Sequence, residues 1–413
     1  MNYVNKEPFV KAKNSFGFLF DPSNGFLIFM SAVGLVYGLI PLIVVIFFDG
    51  NYAFEKLSLI TFVGLISMLV GAKISIFDFR FSNYSTRFKI SPKFFISINF
   101  SIFIFFLIVT FVTAPSIPIL SAVGGVDSNE LSNQRGAFLK GREGAGIVLL
   151  YVSTFLSTTV IPYSIILLYE RKSSARYWAT FLFFLFCISF MQKTLFLNCI
   201  LPLLAFFAYE KKLGKKVFLL FLGGSFILIL LATILSLHGE QMDGFLSRGE
   251  YFSASYSPGS PFEYFLWRAI AVPVFTAADT LIVHAEQFQG DNLFGATSSL
   301  IAGFFGLERI NIERYVFQYQ FGSWNEIANS NAFYLIDAFV NFGWLGVVFF
   351  GVFVGQVFRW FRISKDVAFR SLWPIFAVIL FSAPLIGMLL SNGFAYMLFH
   401  ALFIRVQKYE NAK

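Results

Sequence analysis

Apolar runs of membrane-span length recur through this chain, and they constrain its fold more than any other feature. They cover residues 25–48, 57–77, 94–112, 146–168, 177–191, 194–208, 217–237, 332–358, 367–386 and 393–404. A helix needs about 20 apolar residues to cross the hydrocarbon core of a bilayer. Backbone groups inside lipid must be hydrogen-bonded within their own segment, so uninterrupted apolar runs of this length become helices. The expected fold class is therefore all-α, a polytopic membrane helical bundle of about ten spans. The count rises to twelve if the apolar piece 261–283 also crosses or re-enters the membrane. Apolar residues make up 57% of the chain and charged residues 13%, which excludes an ordinary soluble domain.

Loop charges set the expected orientation. With the N-terminus inside and the spans alternating, most of the 31 basic residues fall in cytoplasmic segments. Examples are Lys6, Lys11 and Lys13, then Arg80, Arg87 and Lys93, then Arg359, Arg362, Lys365 and Arg370. Both termini are then cytoplasmic. The net charge of +8 is mostly this topology signal and calls for no nucleic-acid partner. The polar start, residues 1–22, does not read as a cleaved leader. Cys187 and Cys199 lie in apolar runs and form no metal or disulfide pattern.

One long interruption divides the chain. Residues 1–236 read as an N-terminal transmembrane bundle with a basic outer loop at 114–145. Residues 237–331 read as a long outer loop with interfacial or re-entrant helices. Residues 332–413 read as C-terminal transmembrane helices. The phenylalanine excess is ordinary lipid-facing and core bulk.

Cations outside the cytoplasm carry information, because topology does not require them. Arg135 and Arg142 stand beside Glu143 in the 114–145 loop, two turns apart if that segment is helical. The bland reading is a solvated loop face. Lys193 sits in FMQKTLF, a tight turn between two apolar runs; the alternative to a role is snorkelling to the interface. Arg268 lies in YFLWRAIAVPVF, where an unpaired charge is costly, and an ion pair with Glu263 or Asp279 would explain it. Arg248 adds another cation. Arg309 and Arg314 alternate with Glu308 and Glu313, as on a self-paired surface helix. Arginine and lysine converging from separate loops suit a phosphate or pyrophosphate. Tyr256 and Trp267 could stack on sugar rings or simply belong to an interfacial belt. Asn331 and Asp337 at the head of the 332–358 run are further polar candidates. No metal-ligand spacing, phosphate loop or nucleophile elbow is present, and no cofactor or metal is expected.

Four stretches in this order resemble the Wzy-type O-antigen polymerases, relatives of the O-antigen ligases. They are NQRGAFLKGREGAG, FMQKTLF, YFLWRAIAVP and NSNAFYLIDAFVNFGWLG, the last entering a helix that ends in GxxG. The ligases carry a histidine where this chain has Ser330, Asn331 and Ala332, which favours the polymerase side. The resemblance implies a GT-C-like fold and a place in the bacterial inner membrane. It also implies a metal-independent glycosyltransferase acting on undecaprenyl-pyrophosphate-linked glycans at the periplasmic face. Arg135, Arg142, Lys193 and Arg268 would stabilise the leaving pyrophosphate. Arg248, Arg309, Arg314, Glu143, Asn331, Tyr256 and Trp267 would hold substrate. An inner-membrane chain-length regulator is carried as a further partner, and a ligase or a flippase for lipid-linked sugars as alternatives.

Overall fold

The computed structural model describes residues 17–48, 50–82, 87–126, 130–131, 134, 137–138, 146–189, 193–210, 219, 223–224, 250–324, 330 and 333–406. Arg135, Arg142, Glu143, Arg248 and Asn331 lie outside the described residues, as does almost all of the expected span 217–237. The described chain is mostly helical. Among the described residues, six helices are long and apolar enough to cross a membrane: α1 (Pro22–Phe47), α2 (Tyr52–Lys73), α3 (Pro92–Thr113), α4 (Val148–Glu170), α7 (Pro261–Gln287) and α10 (Tyr334–Ile363). Shorter helices fill between them: α5 (Ala175–Ser189), α6 (Lys193–Glu210), α8 (Ser299–Phe305), α9 (Ile312–Phe321), α11 (Val367–Ser382), α12 (Leu385–Leu390) and α13 (Phe394–Phe403). Strand β1 (Phe88–Ile90) pairs in parallel with β2 (Ile404–Val406).

Helix α1 contains a π-helical turn at Gly34–Leu39, followed by Pro41. Proline has no N–H to offer the carbonyl four residues back, that of Tyr37. The next helix makes good the loss. Thr61 Oγ1 donates to the Tyr37 carbonyl at 3.0 Å, and Ser58 Oγ to the Gly38 carbonyl at 2.7 Å. Buried hydroxyls on α2 thus satisfy backbone that water cannot reach.

Helix α2 is the axis of the bundle, and a row of small residues lets α10 approach it closely. A Cβ on Gly71 would stand 2.0 Å from the Val352 carbonyl oxygen, and one on Gly355 2.1 Å from that of Met68. Packing through small residues is how membrane helices gain contact where lipid supplies no hydrophobic drive. Gly355→Leu is therefore expected to separate the two helices. Size-exclusion profiles in mild detergent should show loss of the monodisperse species, whereas a wild-type profile would remove this contact from the list of structural determinants.

The expected single span over 332–358 is not what forms. Gly343 has φ 61° and ψ −152°, and the chain doubles back there. The Phe29 ring lies 6.5 Å from Tyr334 and 5.1 Å from Phe358. In an unbroken helix those two residues would be about 36 Å apart. Likewise Leu335 packs on Gly64 while Gly351 approaches the Gly64 carbonyl. Residues 334–342 thus form a short arm rising from the middle of the bundle, and residues 344–363 descend beside it. The arm starts on Phe333, whose ring stacks on Tyr37 at 3.8 Å and 4°. The physical reason is glycine: this combination of φ and ψ is open to essentially no other residue.

The two ends of the bundle differ in charge. At the end where α2 finishes, Arg359 Nε donates to Asp78 Oδ2 at 2.8 Å and Arg359 Nη1 to the Ala72 carbonyl at 3.1 Å. Arg80 lies 5.3 Å from the Phe403 ring at that end, and Lys89 is opposite Arg405 in the strand pair. At the end where α2 begins stand Lys56, the last turn of α7 and the reversal at Gly343.

Candidate functional site

The rising arm carries two polar side chains into the bundle, Asp337 and Asn341, at 5% and 0% exposure. They are four residues apart and therefore share a face. Thr297 joins them from the turn before α8. Its Oγ1 donates to Asp337 Oδ1 at 3.0 Å, and Asn341 Nδ2 reaches Asp337 Oδ1 at 3.0 Å and Thr297 Oγ1 at 2.8 Å.

The arm ends at Gly343, so its last carbonyls lose their helical donors. The turn supplies replacements. Leu293 N donates to the Val340 carbonyl at 3.1 Å and Phe294 N to that of Asn341 at 2.9 Å. Gly295 N donates to Asn341 Oδ1 at 2.9 Å. Gly295 itself has φ 89°, and a Cβ there would meet the Ile301 side chain at 2.5 Å. The 292–298 turn and the arm are one hydrogen-bonded unit, and Thr297 is held against Asp337 by it.

A cleft of about 160 Å³ opens beside this triad. Asp337, Thr297, Arg309, Glu313, Tyr151 and Ser391 are among its lining residues. Both hydrogen bonds to the Asp337 side chain fall on Oδ1. Among the described residues none falls on Oδ2. The cleft is smaller than a typical ligand pocket of roughly 300–1,000 Å³. It has room for a phosphate group or one edge of a sugar ring, and an oligosaccharide would extend beyond it.

A second polar group lies on α7 and α9. Gln320 Nε2 donates to Asp279 Oδ2 at 2.7 Å, and Ser330 Oγ lies 3.5 Å from Gln320 Oε1. Nearby, Lys56 Nζ stands 4.6 Å from the centre of the Phe339 ring, and the Asp291 carbonyl is 2.8 Å from His284 Nε2. Partial burial and the Asp279 and Glu286 carboxylates push the Tyr319 phenol above its ordinary value, so it stays a neutral hydrogen-bonding group.

Among the described residues, the cations expected from sequence do not all line this cleft. Arg309 lines the cleft, and Arg314 sits one turn into α9. Arg268 is exposed on the first half of α7, with its guanidinium 5.9 Å from the Tyr264 ring centre. It is sixteen residues, or about 24 Å, along the helix from His284, and it does not line the cleft. Tyr256 and Trp267 belong to an aromatic knot at the start of α7. There Tyr256 donates its hydroxyl to Glu263, and Trp267 Nε1 donates to the Tyr251 carbonyl at 2.9 Å. These bonds hold both side chains in place. Lys193 is the first residue of α6, with three residues between it and the end of α5, and its side chain lies outside the described residues. Thr297 and Tyr151 carried no sequence signal. Asn341 could have been found by its spacing from Asp337.

Helices of this length and apolarity define a polytopic helical membrane protein. No family model matches the chain, and no curated protein and no solved structure is similar to it.

Proposed function

We propose that this protein is a Wzy-type polymerase, a membrane glycosyltransferase joining oligosaccharide repeat units carried on undecaprenyl pyrophosphate. One observation carries the reading: Arg309 and the buried Asp337 line the same cleft, at the end of the bundle that holds fewer cations among the described residues. By the positive-inside rule that end faces away from the cytoplasm. A hydroxyl on the new repeat unit would attack the anomeric carbon of the growing glycan. The bond from that carbon to the pyrophosphate oxygen breaks, and its electron pair leaves with the lipid pyrophosphate. The hydroxyl proton passes to Asp337, and Arg309 stabilises the charge that develops on the leaving group.

Arg309→Ala should lower polymer synthesis on reconstituted lipid-linked repeat units by about 100-fold or more, the usual cost of losing one such stabilising group. Single repeat units would remain on lipid. If Arg268→Ala proved the more damaging change, the site would belong along α7 and not at this cleft.

A flippase for lipid-linked sugars is the second reading. A helix broken inside the membrane, with polar side chains beside the break, is a feature of transporters. One detail favours the transferase. Transporters place such breaks near the bilayer midplane and in matched pairs, whereas Gly343 stands at the end of the bundle beside Asn292. Protein-containing liposomes that move the lipid-linked sugar between leaflets without lengthening it would establish the transporter instead.

A further inference from the structure

A cavity of about 1,090 Å³ lies at the opposite end of the bundle from the cleft. Four cations from four separate segments line it: Lys93 at the start of α3, Arg171 after α4, Lys365 between α10 and α11, and Arg405 in β2. Two carboxylates, Glu170 and Asp366, are also present. Asp366 is already committed, because it accepts from the Tyr163 hydroxyl at 2.7 Å and from Phe369 N at 3.0 Å. The β1–β2 pairing fixes Arg405 in place, and Ser91 follows β1 directly into α3. The cationic rim therefore rests on ordered backbone. Below the rim the lining turns apolar, with Ile96, Leu167, Leu168 and Val367.

A cavity that is cationic at its mouth and apolar within matches a molecule that is anionic at one end and apolar at the other. The geometry points to a binding site for the phosphodiester headgroup of an anionic membrane lipid, with the first part of an acyl chain against the apolar wall. A free phosphate shares the headgroup chemistry but has no use for the wall. This site is separate from the cleft and does not depend on the polymerase reading.

The test uses the full chain in nanodiscs of phosphatidylcholine alone or with one-third phosphatidylglycerol. Phosphatidylglycerol is expected to raise the melting temperature by several degrees and to remain bound to protein re-extracted in detergent, as read by native mass spectrometry. Lys93→Gln combined with Lys365→Gln should lose most of that shift. Both side chains are exposed, so the variant is expected to keep its stability in phosphatidylcholine. A single Lys365→Gln provides a milder version, with a partial loss. Inorganic phosphate at millimolar concentration is the second arm. An equal shift with phosphate in phosphatidylcholine discs would overturn the lipid assignment in favour of a soluble phosphate compound. Equal melting temperatures in both lipids, or a phosphatidylglycerol shift undiminished in the double variant, would overturn the site.

Discussion

Asp337→Asn is expected to stop chain extension while leaving the protein folded in the membrane. The amide oxygen can still accept from Thr297, now made at 3.0 Å to Oδ1, so the local framework is kept. What is lost is the ability to take a proton at Oδ2. Removing a positioned proton acceptor typically costs 10²–10⁴-fold. Cells carrying the variant should accumulate single repeat units, and the purified protein should melt within a few degrees of the parent. Asn341→Asp makes a useful companion, because it sets a second carboxylate against the first and should disturb folding as well as activity. Wild-type polymer lengths from Asp337→Asn would end the assignment of a general base on the arm.

Gly343→Ala should have the other large effect, through the backbone. At φ 61° and ψ −152° an alanine is strained by about 1–3 kcal/mol, and the strain falls at the point where the arm reverses. The new methyl would also stand 3.2 Å from Asn292 Oδ1. Relief requires the turn to shift, and the turn holds the arm's terminal carbonyls and Thr297. We expect a melting temperature lower by several degrees and a loss of activity comparable with that of Asp337→Asn. Gly303→Ala is the control, since that position in α8 is open and its backbone helical. It should be silent. A Gly343→Ala protein as stable and active as the control would mean the reversal is not needed.

The broad architecture was legible in the apolar runs, because lipid leaves so few options for backbone. The boundaries expected for 57–77, 94–112 and 146–168 lie within a few residues of α2, α3 and α4. The break in α10 was not legible in hydropathy. Residues 333–342 are nearly as apolar as those after them, since the arm is buried in protein as the descending helix is in part. Only GxxG marked it. Gly343 makes the reversal and Gly346 lets the descending helix pass, with a Cβ there 2.4 Å from the Ala338 carbonyl oxygen. The site was partly legible. Asp337 stood out as a charge in an apolar helix, and Arg309 as a cation outside the topology signal. Trp267 and Tyr256 were ambiguous, because an aromatic near a charge has the same composition whether it stacks on a sugar or on its own loop. Thr297 was invisible, as its importance comes from a turn that docks across forty residues.

The short arm also bears on biogenesis. Nine residues of helix reach about 14 Å, less than half the thickness of the hydrocarbon layer, so the arm is too short to span the bilayer on its own. Its seat is Tyr37 and α2, made roughly 260 to 300 residues earlier in translation. The last fifth of the polypeptide thus takes its place against the first fifth, so docking of the arm depends on helices made much earlier.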